Sequence, residues 1–519
     1  MKSSKRLLAL VFLFVFAISA VLTGCGGKTE EAGAQSEPVA AENSAVAADA
    51  SAPAPEENKI DVASLKPYQL DWYFMGGSEP SSLKDVETEI GNYLKDKINA
   101  TVKFNILDWG TYQEKVGAMI MAGQKFDICF TANWWLNYPK YAQDGAFVEL
   151  DQYLGNELKP TWDALTAKLG ADYLNGSKIN GKNYGIPAAK EAARHWGYVY
   201  NKDMADKYGF DLSTVKTFED IEPFLKIIKE KEPATVVPIF KDNNMNTGFI
   251  SWNALNPDEI GVYKDGKWVN QYETEEYKHA YEVMRDWYNK GYLQKDVATA
   301  KDGPTVRSTG SFFVFPVNLK PGYAAEQQPT IKVKIDQIDI TEPVITNNET
   351  MGSMQAISKS SKDPQRAAMF LNLVNTDPVL INLIAYGIKD KHYKVLDENT
   401  IEPIPDSGYS PDNVWKYGNQ YLLKLLNTED PNKYKNFEDY NTKAKAVEEL
   451  GFIFDNTNVM NEVAATAGII KEYHQVLKVG AVDPATKLPE FIKKLQDAGS
   501  QTILDEMNKQ WEAYKAAKK

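Results

Sequence analysis

Cysteine and histidine are scarce in this chain. Two Cys and four His in 519 residues are too few for a Cys₄ zinc site or a disulfide scaffold. Positive charge is also short: 58 Lys and Arg face 71 Asp and Glu, a net charge of −13. A nucleic-acid binder carries a basic field, so this balance argues against that class. Catalytic signatures are missing too. There is no His-Glu-x-x-His, no Gly-x-Ser-x-Gly and no phosphate-binding P-loop. Carboxylates are plentiful, yet no local pattern marks a pair for glycoside hydrolysis. The expectation is a protein that is not an enzyme and holds no cofactor and no metal. Asp242-x-Asn244-x-Asn246 resembles the start of a calcium loop. Gly248 falls one place late and no Glu stands at the twelfth position, so it reads as a solvated turn.

What is present is a globular composition, 43% apolar and 12% aromatic, in a chain too long for one compact core. The first 24 residues stand apart. Lys2, Lys5 and Arg6 precede an apolar run from Leu7 to Leu22, broken only by Ser19. That is the layout of a signal peptide. It ends in Leu22-Thr23-Gly24-Cys25, which looks like a bacterial lipobox; the resemblance implies a lipidated Cys25 after removal of residues 1–24. No later segment has 18 uninterrupted apolar residues. Residues 25–66 carry Ala, Glu, Ser and Pro, with no aromatic before Tyr68. Such a segment buries too little apolar surface to offset its ordering entropy and reads as a tether. Cys129, in an apolar segment, reads as a buried strand thiol.

From Pro67 strand and helix patterns alternate. Gln69–Met75, Thr101–Leu107 and Phe126–Thr131 read as strands. Leu83, Val86, Ile90, Leu94 and Ile98 recur at helical spacing, and a second helix runs over 112–122. Strand–helix–strand–helix–strand predicts parallel pairing in an α/β layer. Further strands are expected at 196–200, 311–316 and 353–357, and a hairpin turn at Lys264-Asp265-Gly266-Lys267. The last part is mostly helical, with 459–477 and 488–514 the longest stretches.

In an open parallel sheet the ligand crevice lies beyond the carboxyl ends of the strands. After the first strand come Gly77, Ser78 and Glu79; after the second, Asp108 and Trp109; after the third, Trp134, Trp135 and Asn137. Lys190, Glu191, Arg194 and Trp196 open the next strand, and Trp252 and Trp415 stand in polar loops. Sugars combine apolar C–H faces with rings of hydroxyls, so aromatic platforms beside Asp, Glu, Asn and Arg suit them. These residues are the candidate site for an oligosaccharide.

Motifs spread along the chain carry a resemblance. They are Leu22–Cys25, Gly117–Asp127, Gly145–Leu154, Tyr184–Pro187, Tyr198–Asp203, Lys216–Ile221, Ser308–Phe313 and Ala385–Tyr393. The helical segment Gly451–Tyr514 completes them. In order and spacing the sequence resembles the extracellular solute-binding proteins, family 1, of Gram-positive ABC importers, in their large lipoprotein branch. It departs from the family at Ser308-Thr309-Gly310-Ser311, where a Gly followed by an aromatic such as Trp is frequent; Phe312 stands here instead.

The resemblance implies an α/β, two-lobed periplasmic-binding-protein-like fold of the class II type, with a cleft between lobes joined by hinge segments. One lobe would hold 67–194 and 346–400. The other would hold 195–345 and 401–519, with 451–519 as a helical C-terminal segment. It implies a monomer on the outer face of the cell membrane, held by its lipid. There it would capture an oligosaccharide, some of them uronic-acid-containing, and pass it to ABC permease subunits. A peptide, polyol or other small solute in the same fold is the alternative.

Overall fold

A computed structural model describes residues 61–241, 260–300, 303–409 and 413–518. Cys25, Trp252 and the Asp242–Asn246 turn lie outside them. A 3₁₀ turn at Val62–Ser64 and a hydrogen bond from Asn99 Nδ2 to Leu65 O (2.7 Å) tie down the chain just before Pro67. Residues 62–65 are thus held in place within the stretch read as tether.

The first lobe opens with β1 (Tyr68–Gly76), α1 (Leu83–Ile98), β2 (Ala100–Asp108), α2 (Trp109–Met121) and β3 (Ile128–Thr131). As the alternation predicts, β1 pairs in parallel with both β2 and β3. The residues of α1 that are buried are Leu83, Val86, Ile90, Leu94 and Ile98, the helical stripe read from the sequence. β4 (Ile186–Pro187) closes this part of the chain.

The chain then leaves for the second lobe, whose strands are β5 (His195–Asn201), β6 (Val237–Ile239), the hairpin β7 (Gly261–Lys264) and β8 (Lys267–Asn270), β9 (Phe312–Leu319) and β10 (Ile335–Asp339). The order β10-β5-β9-β6 makes its sheet. It returns through β11 (Val344–Ile345) to β12 (Met354–Ile357), which pairs antiparallel with β3 and completes the first sheet, β2-β1-β3-β12-β4. One face of the second sheet packs Tyr198, Phe313, Leu225 and Trp287; the other packs Val199, Phe312 and Phe315.

Trp72 centres the first lobe. It is fully buried, meets Phe74, Phe104, Phe370 and Tyr417 edge-on, and donates from Nε1 to Gln355 Oε1 at 2.8 Å. Ile401, Tyr409, Tyr417, Leu423, Tyr440 and Leu450 share this core. Residues 401–450 were expected in the second lobe and belong instead to the first. Their apolar side chains are spent covering the Trp72 sheet, and the chain crosses back only near residue 450. Cys129 is buried here, and burial pushes its thiol well above the ordinary range.

The C-terminal helices cover Met460–Leu477, Pro484–Asp497 and Ser500–Lys518. The expected single stretch over 488–514 is broken at Gly499, whose φ of 93° lies outside what a helix allows. These helices pack on Trp268, Tyr272 and Tyr281 of the second lobe. His474 is buried between them, with Nδ1 2.7 Å from Tyr281 Oη.

Three crossing segments lie side by side. Arg194 N–H donates to Val344 O (3.2 Å) and Val344 N–H to Arg194 O (3.0 Å); β11 pairs in parallel with Lys445–Ala446. His195 bridges the same region, with Nδ1 2.7 Å from Tyr440 Oη and Nε2 2.9 Å from Asp339 Oδ1. Burial raises the Asp339 carboxyl, and its bond to His195 brings it net below the ordinary value. Short paired strands that join two separate cores suit a hinge.

Candidate functional site

The cleft between the lobes has a cavity of about 720 Å³, within the range of small-molecule sites. The first lobe contributes Trp134, Lys190, Glu191, Glu349, Trp415 and Gln420; the second contributes Asn318, Lys320 and Tyr323; Arg194 stands at the crossing between them.

The aromatic wall has a local cause. β3 ends at Thr131, and the tight loop after it turns Trp134 outward and Trp135 inward. Ala132 N–H donates to Trp135 O (2.8 Å) and Thr131 Oγ1 bonds Leu136 O. Trp134 is 48% exposed, and its Nε1 donates to Gly352 O at 2.8 Å. Trp415 packs 6.1 Å from it and 5.7 Å from Phe130. Trp109 stands behind, 6.2 Å from Trp135 and 6.3 Å from Trp415. Four tryptophans thus form one cluster, of which Trp134 and Trp415 line the cavity.

The charged groups neutralise one another. Lys190 Nζ lies 2.7 Å from Glu191 Oε1; Lys320 Nζ lies 3.6 Å from Glu191 Oε2 and 3.0 Å from Glu326 Oε2. Arg194 pairs through Nε with Glu349, and Lys433 Nζ lies 2.6 Å from Glu429 Oε1. Burial opposes the charge on Glu191, but Lys190 and Lys320 outweigh it and hold its carboxyl at about 2. Every cation on the cavity wall has a carboxylate partner. Three buried polar atoms of lining residues have no hydrogen-bond partner among the described residues: Glu191 Oε2, whose cation Lys320 stands 3.6 Å away, Asn318 Oδ1 and Gln420 Nε2.

Of the residues singled out from sequence, Trp134, Lys190, Glu191, Arg194 and Trp415 come together around this cleft. Others do not. Asp108 caps α2, its Oδ1 accepting from Gly110 N–H (2.8 Å), and Asn137 caps the helix Tyr138–Gln143, accepting from Lys140 N–H (3.0 Å). Their polar groups are used by helix ends, the ordinary work of Asp and Asn there. Gly77, Ser78 and Glu79 form an exposed turn away from the cavity lining. Trp109 and Trp135 back the cluster, and Trp196 packs on the second lobe's core. Asn318, Lys320 and Gln420 went unread. The first two sit at the carboxyl end of β9, in a sheet where β5 runs antiparallel to both β9 and β10, so the rule for parallel sheets did not point to them.

The profile of the bacterial extracellular solute-binding proteins matches residues 77–379, more than half of the chain, and DUF3502, a domain of unknown function, matches 448–516. A carbohydrate ABC transporter substrate-binding protein of Streptococcus pneumoniae is 30% identical over 471 residues, 88% of this chain and 92% of that one. The crystal structure of the N-glycan transport solute binding protein NgtS from the same species superposes with a TM-score of 0.78 at 29% identity, covering 88% of this chain and all of that one. Its complex with Man5GlcNAc gives 0.69 over the same shares of both chains, also at 29% identity. Two α/β lobes, three hydrogen-bonded crossings and this match over most of both chains lead to one assignment: the chain belongs to the bacterial extracellular solute-binding proteins.

Proposed function

We propose that the protein captures a neutral oligosaccharide between its lobes and passes it, without turnover, to the permease of an ABC importer. The observation that carries this is the pairing of chemistries on the cleft wall. Trp134 and Trp415 offer apolar faces for sugar C–H groups. Asn318 and Gln420, one from each lobe, bring amide groups to the same wall, with Asn318 Oδ1 and Gln420 Nε2 covered and unpaired. Buried polar atoms are nearly always satisfied, so these two suit hydroxyls, which give and accept in the same place. The carbohydrate-binding relatives above support the same class.

Neutrality follows from the ion pairs. With Lys190, Lys320, Arg194 and Lys433 already matched to carboxylates, a uronate would have to break a pair to gain one. The resemblance leaves the charge of the sugar open; these pairs favour a neutral one. Anchorage rests on the sequence: Cys25 after Leu-Thr-Gly is placed for lipidation, holding the protein at the outer face of the membrane.

Titrating intrinsic Trp emission with neutral and uronate oligosaccharides tests this reading. Saturable binding of a neutral sugar, recovered at unchanged mass, is expected. Binding confined to uronates, or steady cleavage of the sugar, contradicts it.

A further inference from the structure

The cleft does not end at the main cavity. Glu326, Leu426, Glu429 and Lys433 line that cavity and also a second one, about 350 Å³ in volume. Its walls again come from both lobes. Pro321, Ala325 and Pro329 face it from the second, and Leu426, Thr428 and Phe437 from the first. The two cavities are therefore neighbours, with the Glu429–Lys433 pair on the wall they share. That pair is 2.6 Å apart and self-neutralised, so the passage favours no charge. Asp430 in the second compartment already accepts from Asn432 N–H and Asn436 Nδ2, both at 2.8 Å. What is left is mostly apolar surface with a polar rim, the character of a sugar-sized pocket.

We propose that this second compartment is a subsite for a further unit or branch of the same neutral oligosaccharide, whose first units lie against Trp134 and Trp415. The proposal rests on the reading of the main cleft as an oligosaccharide site. It makes the protein select long or branched chains over short ones, because only a chain that passes the Glu429–Lys433 pair uses both compartments.

Ala325 and Thr428 are exposed positions on opposite walls, so a large side chain at either fills the compartment without entering a core. Calorimetric titration of the wild type, Ala325→Trp and Thr428→Trp with a mannosyl-N-acetylglucosamine disaccharide and with Man5GlcNAc decides the matter. Wild type is expected to bind the larger probe at least ten-fold more tightly. Each variant should lose about ten-fold for the larger probe and stay within two-fold for the disaccharide, with melting temperature unchanged. Equal wild-type affinity for both probes, or equal losses on both probes in the variants, overturns the second subsite and leaves the main site standing. Failure of the wild type to bind either probe overturns both.

Discussion

Lys320 Nζ lies 3.6 Å from Glu191 Oε2, joining the end of β9 in the second lobe to the segment that leaves the first. Lys190 holds the other oxygen at 2.7 Å. One carboxylate thus carries two ammonium groups, one from each side of the cleft, a few residues from the paired crossings at Arg194 and Val344. Closure of the lobes is where this contact would be made.

Glu191 supplies a pH dependence. Burial acts to raise its carboxyl, and the two lysines overcome it, from the ordinary 4.5 to about 2. Between those values the unfolded chain takes up a proton that the folded one does not. Stability from this group is therefore full above pH 4.5 and is lost as pH falls toward about 2. The shift corresponds to roughly 3 kcal/mol. Glu191→Gln should lower stability at pH 7 by up to about that amount and flatten the acid limb. Urea unfolding of both proteins from pH 7 to 2.5 measures it; parallel curves would show that Glu191 does not act this way.

Trp134 and Trp135 should separate cleanly. Trp134 is half exposed on the cleft wall, whereas Trp135 packs at 6.2 Å from Trp109 and 5.9 Å from Trp134 behind it. Trp134→Ala should leave melting nearly unchanged and cost roughly 1–3 kcal/mol of sugar affinity, about a 5- to 150-fold rise in Kd. Trp135→Ala should cost about 3 kcal/mol of stability. Affinity and melting temperature on both variants check this; equal behaviour would mean that the two rings share one role.

Gly197 marks how closely the second sheet is built. A Cβ there would meet Ile338 O at 2.0 Å and Leu319 Cδ1 at 2.6 Å, while at Gly77 nothing lies within 4 Å. Gly197→Ala should force β5 from β10 and cost about 3 kcal/mol or more, with Gly77→Ala near neutral. Thermal unfolding of the pair tests it.

Much of the architecture was legible because it follows from local periodicity. The α1 stripe, the parallel β1–β3 unit and the hairpin at Asp265-Gly266 are written in adjacent residues. The lobe boundary was not. Nothing local in Ile401, Tyr417 or Tyr440 says which sheet they cover, since that choice depends on where the chain last crosses. The site was half legible for a similar reason. Strand ends pointed to Trp134, and Lys190, Glu191 and Arg194 were read as candidate site residues before the next strand, but Asp108 and Asn137 look alike as caps or as ligands until the helix behind them is seen.

Anchorage has its own test. Cys25→Ala should release the protein from membranes into the medium, measured by fractionation of cells expressing each form. Retention at wild-type levels would place the anchor elsewhere.

The most direct measurement is a crystal structure of the protein with a bound neutral oligosaccharide. Sugar stacked on Trp134 or Trp415, with hydroxyls on Asn318 and Gln420 and the Lys190–Glu191–Lys320 contacts intact, is the predicted result. Sugar bound outside the interlobe cleft, or a cleft whose ion pairs open to hold a carboxylate, would contradict it.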